Sequence, residues 1–403
     1  MPEQRRAITR AEDRTVLIAG AASTGPAFTR AVLEVAGAVL TWPALDPTGL
    51  PAAEIHDVEQ AQQWLWAVYG ERTAAAVEAV ASGTPAAELT LPEQLTALAE
   101  AAARLALGHW AARWWPTSHL DGIPALEPNV LGLELAALTH ECQQLLDEQG
   151  ELEGIELLGG HLAALGPLIQ WRQSAAPPRQ LDRALRLIDD AADNAGLDGE
   201  ALRRLRSALE RDHGPTATPF EPAELLSQQQ EFALAAGDLR TATGRLIARG
   251  SGTNDWCRYP PGFVDAAEEA VSWTAYALGA GRRIEVEVVA DIAAPVGGVH
   301  LAAEVHVDGS PPSRVALARR DDVWAGRADL DIPASTTPGI EVGILLPGFD
   351  PGPGTDDRAA REAVRALALH RLSMAAAPHD GEAAHPAPFL AEIAAAASVE
   401  EDF

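Results

Sequence analysis

Two periods of apolar residues divide this chain. From about residue 9 to 236, apolar positions recur every three or four residues, the spacing of one helical face. Leu95, Leu98, Ala102 and Leu105 make one such stripe, and Leu131, Leu135, Leu138, Cys142 and Leu145 another. Leu181, Leu185 and Ile188, then Leu202, Leu205 and Leu209, give two more. Asn194-Ala195-Gly196 joins these last two as a helical hairpin, with Asp198 as the next N-cap. Thr90 and Glu93 have the T-x-x-E spacing of a capping box, and Pro222 suits the first turn of a helix over 221–235.

After Gly237 the period falls to two. Ile284, Val286, Val288, Ala290 and Ile292 alternate with Glu285, Glu287 and Asp291. Val299, Leu301, Ala303, Val305 and Val307 occupy alternate positions, as do Trp324, Ala328, Leu330 and Ile332, and Ile340, Val342, Ile344 and Leu346. Weaker alternation marks 239–249, 271–278 and 314–319. Strands of this kind with Gly, Pro and Asp turns predict an antiparallel sandwich or barrel with one wet face. The Gly/Pro cluster at 347–354 reads as a linker. It leads to a helix that begins near Asp356 and Asp357 and ends near His370 and Arg371, as the helix dipole favours.

The expected class is α+β: an N-terminal all-α helical domain (1–236), an antiparallel β-sandwich-like domain (237–350), a terminal helix (351–378) and a flexible acidic tail (379–403). The length of 403 residues favours more than one core. Proteolytic cleavage is expected near 212–222 or 347–354. Deleting 386–403 is expected to leave the melting temperature nearly unchanged while weakening association with a partner.

Composition removes several chemistries. All 30 basic residues are arginine, so no lysine is available for a Walker loop, a kinase strand or a Schiff base. Biased nucleotide usage of a GC-rich, actinobacterial kind accounts for this more simply than selection against amine modification. The net charge is −28, which repels nucleic-acid backbones and anionic lipid headgroups. Cys142 and Cys257 are too few for a disulfide framework or a structural zinc site. Residues 1–14 are polar with no apolar run behind them, and the apolar stretches are interrupted short of a membrane span. The expectation is a cytoplasmic protein with neither nucleic acid nor membrane as partner.

Candidate sites are few. Residues 16–25 resemble a strand and glycine loop but lack the G-x-G-x-x-G spacing, so two helices broken at Ser23-Thr24-Gly25 are expected. His140-Glu141 is followed by Gln144 where H-E-x-x-H needs histidine, and His109, His119 and His161 share no helical face. No G-x-S-x-G is present. Asp255, Trp256, Cys257, Arg258 and Tyr259 read as an ordered entrance to the β domain. If 283–292 and 299–307 form a hairpin, its wet face carries Glu285, Glu287, Asp291, His300, Glu304 and His306, ligand types that can hold a divalent cation. A charged, aggregation-resistant surface explains the same pattern.

Trp110 and Trp114 lie four residues apart on one helical face, with Arg113 and Trp115 beside them. Core packing is the simpler account, and a partner hot spot the functional one. Trp64 and Trp66 cannot both face inward on one helix, which supports an interface in this half. Phe389, Ile393 and Phe403 in the C-terminal tail are candidate anchors for an apolar groove with a basic rim. The functional expectation is a non-enzymatic adaptor or scaffold that binds other proteins, without a cofactor, metal or catalytic residue. A metal-dependent hydrolase using the His/carboxylate stripe is the rival.

Overall fold

The computed structural model describes residues 5–20, 25–90, 95–174, 177–211, 244–279, 281–295, 297–330, 338–349, 357–377 and 386–401. They form two compact units. The first comprises 1–115, 126–228 and 370–403; the second comprises 116–125 and 229–369. The expected helix at 221–235 lies outside the described residues.

The first unit opens with strands, so the expected all-α N-terminal domain is incorrect. β1 (Arg5–Arg10), β2 (Val16–Ile18), β3 (Arg30–Val35), β4 (Ala38–Pro43), β5 (Ala52–Ile55) and β6 (Ala87–Thr90) make one antiparallel sheet in the order β3-β4-β5-β2-β1-β6. The local reason is visible in β3 and β4. Ala31, Leu33 and Val35 are buried, as are Ala38, Leu40 and Trp42, with the residues between them turned outward. Gly37, at φ +75°, supplies the left-handed turn that reverses the chain between the two strands. A helical reading survives in the sequence only because apolar residues also occupy some outward positions, such as the exposed Val32.

Between β5 and β6 run α1 (Val58–Ala61), α2 (Leu65–Tyr69) and α3 (Glu71–Ala81), and α3 packs on β1, β2 and β6. α4 (Ala97–Trp114) packs on β3 and β4 and on α5 (Pro128–Glu141). Both α4 and α5 are buried on nearly every side, as expected of helices apolar all round. The cap of α4 is Thr96, whose side chain accepts from Ala99 N at 3.1 Å; Thr90 instead ends β6. α6 (Glu148–His161) and α7 (Leu165–Arg172) follow, then α8 (Arg179–Asn194) and α9 (Glu200–Glu210). The α8–α9 hairpin turns at Gly196, φ +65°, as the spacing indicates.

The run Glu148–Arg172 is long and apolar enough to cross a membrane by length and composition alone. Here Leu158, Leu165, Leu168 and Trp171 are buried, and α6 lies against α5. α10 (Arg358–Ala376) contributes its end to this unit, and α11 (Leu390–Glu401) packs on α5.

The second unit contains β7 (Arg245–Ser251), β8 (Val271–Leu278), β9 (Gly281–Val289), β10 (Leu301–Val307), β11 (Ser313–Arg320), β12 (Val323–Leu330) and β13 (Ile340–Leu345). They form a single antiparallel sheet ordered β13-β10-β11-β12-β9-β8-β7. Thr253, just past β7, bridges in parallel to Gly343 of β13, and Thr253 N donates to Val342 O at 2.7 Å. The two ends of the sheet therefore meet, so of the expected sandwich or barrel this single curled sheet is nearer the barrel. Alternation cannot separate the two, because either architecture buries every second residue. Curling also removes exposed edges. Ile284, Val286, Val288, Leu301, Leu317 and Trp324 fill the interior.

Asp291 was expected on the wet face, yet it is buried just past β9. Burial lifts its carboxyl to about pKa 6, against a bond from Ala293 N that favours the anion. The native state thus holds this proton more tightly than the unfolded chain. The stability from the protonated form is complete below the unfolded value of 3.8 and is lost as pH rises through 6. Asp291→Asn should therefore raise stability at pH 8, on the order of 2 kcal/mol, and change little at pH 3.5. Denaturant midpoints across that range test it, and an equal effect at both ends would dismiss the charge argument.

Candidate functional site

The feature in the first unit that departs most from ordinary packing is a pair of charges inside two apolar helices. Arg104 sits mid-way along α4, and Glu134 mid-way along α5. A charge in such a position must be paired to be tolerated. Arg104 NH2 meets Glu134 Oε1 at 2.6 Å, and Arg104 NH1 donates to Ala387 O at 2.7 Å. The other carboxylate oxygen, Oε2, accepts from Leu390 N at 2.7 Å, so Glu134 caps α11 from outside that helix. Burial raises the Glu134 carboxyl pKa against the opposing pull of Arg104 and the Leu390 amide.

α11 brings its own cap. Glu392 Oε2 accepts from Phe389 N at 2.7 Å, the return half of a capping box. The same carboxylate grips Arg371 of α10, with Nε at 2.5 Å and NH2 at 2.7 Å. Two guanidinium groups lie over the Phe389 ring, Arg104 at 4.8 Å and Arg371 at 5.5 Å from its centroid. Gly108 of α4 makes room for Leu135 and for this ring, since a Cβ there would clash with Leu135 Cδ2 and come within 3.2 Å of the ring. Residues 386–392 are thus held by the Arg371–Glu392 ion pair, by donations to the Ala387 and Pro388 carbonyls, by two capped amides and by the guanidinium contacts of one ring.

Beside this socket a pocket of about 590 Å³ opens between α4, α5, α8 and residues 386–387. Its size falls within the usual range for ligand and partner cavities. Ala97, Ala101, Leu138, Ala184 and Leu187 give it apolar walls. Its polar groups are Glu100, Arg104, Glu134, Glu141, Gln180 and Arg183, with Thr48 also in the lining. Glu141 pairs with Arg183, and Gln180 Nε2 donates to Pro388 O at 3.1 Å. Among the described residues, the Glu100 side chain has no hydrogen bond or ion pair.

A comparison with known families, curated proteins and solved structures found no match.

The residues singled out in the sequence fall as follows. Trp110 is buried, its indole N–H donating to Phe28 O at 2.7 Å. Trp114 packs on the Phe28 ring at 6.2 Å, Arg113 is exposed over Trp114 at 5.2 Å, and Trp115 is buried. Trp110 and Trp114 thus share one aromatic neighbour within the first unit. Trp64 is fully buried, while Trp66 is 50% exposed, the division their spacing requires. Phe389 is buried in the socket, Ile393 is half-buried, and Phe403 lies outside the described residues.

The His/carboxylate hairpin does not form. β9 pairs with β8 and β12, and β10 with β11 and β13. Glu285 faces Arg327 across the ladder, and Glu304 is held by Arg258 at 2.6 Å and Arg314 at 3.2 Å. The stripe therefore meets arginine, and no group of three or more metal-ligating side chains occurs among the described residues. Residues 16–18 are a strand whose neighbours β1 and β5 are antiparallel, which overturns the two-helix reading there. His140 is half-buried, with Asn194 Nδ2 at 3.5 Å from its Nε2. In the loop before Pro260, Asp255 caps Cys257 N at 3.0 Å. Burial and the Asp255 charge push the Cys257 thiol up to about 11, which keeps it protonated at neutral pH.

Sequence reasoning missed Arg104, Glu134, Arg371 and Glu392. The available signal was a lone charge inside an apolar run: Arg104 in Ala-Ala-Ala-Arg-Leu-Ala-Leu, Glu134 in Leu-Gly-Leu-Glu-Leu-Ala-Ala.

Proposed function

We propose that this chain is a non-enzymatic adaptor that binds other proteins, and that the pocket beside Arg104 and Glu134 receives a segment of one partner. The observation that carries this reading is the wall chemistry: apolar surface interspersed with a few hydrogen-bonding side chains from α4, α5 and α8. Such a surface takes up an extended segment by burying an anchor side chain. The exposed Trp66 offers a second contact point of the residue type enriched at protein interfaces.

Ala97 lines the pocket and is itself exposed, so Ala97→Trp should fill the opening without disturbing the core. Purified full-length protein and this variant should melt alike. Partners retained from the native host by the parent chain should be lost by the variant, an expected drop of at least about tenfold, or 1.4 kcal/mol. Equal retention of the same partners by both would remove the pocket from the proposal.

A further inference from the structure

We propose that the partner segment entering this pocket presents an arginine or lysine side chain flanked by apolar residues. This rests on reading the pocket as a docking site for a protein segment.

The argument is one of charge balance. Two guanidinium groups in the lining are each paired with a carboxylate, Arg104 with Glu134 and Arg183 with Glu141. Arg104 NH1 and NH2 also serve Ala387 O and Pro388 O, and Gln180 Nε2 serves Pro388 O. The Glu100 carboxylate is the third in the lining and is unpaired among the described residues. The lining therefore carries one negative charge in excess, which favours a cationic side chain. A carboxylate or phosphate would instead face Glu100 and Glu141 with like charge.

The walls fit the rest of such a side chain. Ala97, Ala101 and Leu187 provide apolar contact for a methylene stem, while its charged head reaches the carboxylates. Guanidinium matches a carboxylate with two parallel hydrogen bonds, and ammonium matches it as a point charge. The net charge of −28 draws a basic segment towards the chain from a distance.

The test uses the full-length chain and synthetic heptapeptide pools, randomised except for a fixed central residue: Arg, Lys, Ala or Glu. The Arg and Lys pools should be retained about tenfold more than the Ala pool, the worth of one charge-assisted contact of 1.4 kcal/mol. The Glu pool should be retained least. Glu100→Gln with Glu141→Gln should bring the Arg pool down to the Ala level. That double variant should fold normally, since it removes only an exposed group and a surface pair. If the Ala or Glu pool is retained as well as the Arg pool, and Ala97→Trp abolishes retention, the basic side chain is wrong but the docking pocket stands. Retention of the Arg pool that Ala97→Trp leaves untouched overturns the pocket itself. If no pool is retained, the basic-segment proposal is also overturned, because the pools hold every flanking context.

Discussion

Deleting residues 386–403 should lower the melting temperature of the first unit by about 10 °C or more. The sequence suggested a nearly neutral deletion, on the ground that a short isolated helix is unstable. The structure supplies what isolation lacks. Phe389, Leu390, Ala391, Glu392, Ala394 and Ala395 are all buried. Removing them strips the buried Arg371 of the Glu392 carboxylate, and removes the two carbonyls that Arg104 NH1 and NH2 engage. Glu392→Ala isolates the charge effect from the lost apolar area. Removing one partner of a buried pair costs about 3–5 kcal/mol, because the other charge stays buried without compensation. The same change also frees the Phe389 amide. Glu392→Gln keeps the shape and one acceptor and should cost clearly less. Urea unfolding of the three proteins gives the order. If the deletion or Glu392→Ala melts like the parent chain, α11 does not hold this socket in solution.

The parts of the fold legible in the sequence are those with a single strong period. Six strands of the second unit, β8 to β13, fall where alternation puts them, because each has a face with buried residues; β7 has none buried and overlaps the expected 239–249 only in part. The α8–α9 hairpin is legible for the same reason, with Leu181, Leu185, Ile188, Leu202 and Leu205 all buried. The first sheet is not, because its strands are short and rich in alanine and leucine. A strand of three to six residues, such as β2 or β4, fits either period. Pairing order was also hidden. Nothing local tells that β9 joins β12 rather than β10, and that partnership decides whether Glu285 meets histidine or Arg327.

Of the candidate site, periodicity located α4, α5 and α8 but not their use. The charges that matter there are isolated residues in apolar surroundings, and their partners lie 30 positions away in one case and 21 in the other. Spacing arguments reach along one helix. They do not reach from Arg104 to Glu134 or from Arg371 to Glu392. The tail showed the apolar triplet Phe389, Leu390 and Ile393, but the acid that fixes it, Glu392, reads in sequence as one more surface charge.

Asp265→Ala should be the most damaging single change in the second unit, costing roughly 4 kcal/mol. Asp265 is 2% exposed, and each of its oxygens holds two or more parts of the fold together. Oδ1 accepts from Ser118 Oγ at 2.7 Å and from Ala267 N at 2.9 Å, and Oδ2 from His119 N at 2.7 Å. Its backbone carbonyl also takes a bond from the fully buried Asn254, whose amide reaches Ala267 O as well. Residues 116–125 thus join the β unit through one carboxylate, helped by Ala266 N donating to Thr117 O at 3.0 Å. Alanine would leave the Ser118 hydroxyl and the amides of Ala267, His119 and Leu120 without this acceptor, each worth about 1–3 kcal/mol if it stays buried. Water entering the space relieves part of this, which places the total below the sum. Asp265→Asn keeps one acceptor but turns an NH₂ towards either the hydroxyl or the His119 amide, so its cost should fall between parent and alanine. Ser118→Ala removes one donor to the carboxylate and the acceptor of the amide of Asp121, an exposed residue, and should cost about 1 kcal/mol. The graded series, read by denaturant unfolding, tests whether the carboxylate is the junction. If Asp265→Ala costs no more than Ser118→Ala, the attachment of 116–125 rests on packing instead.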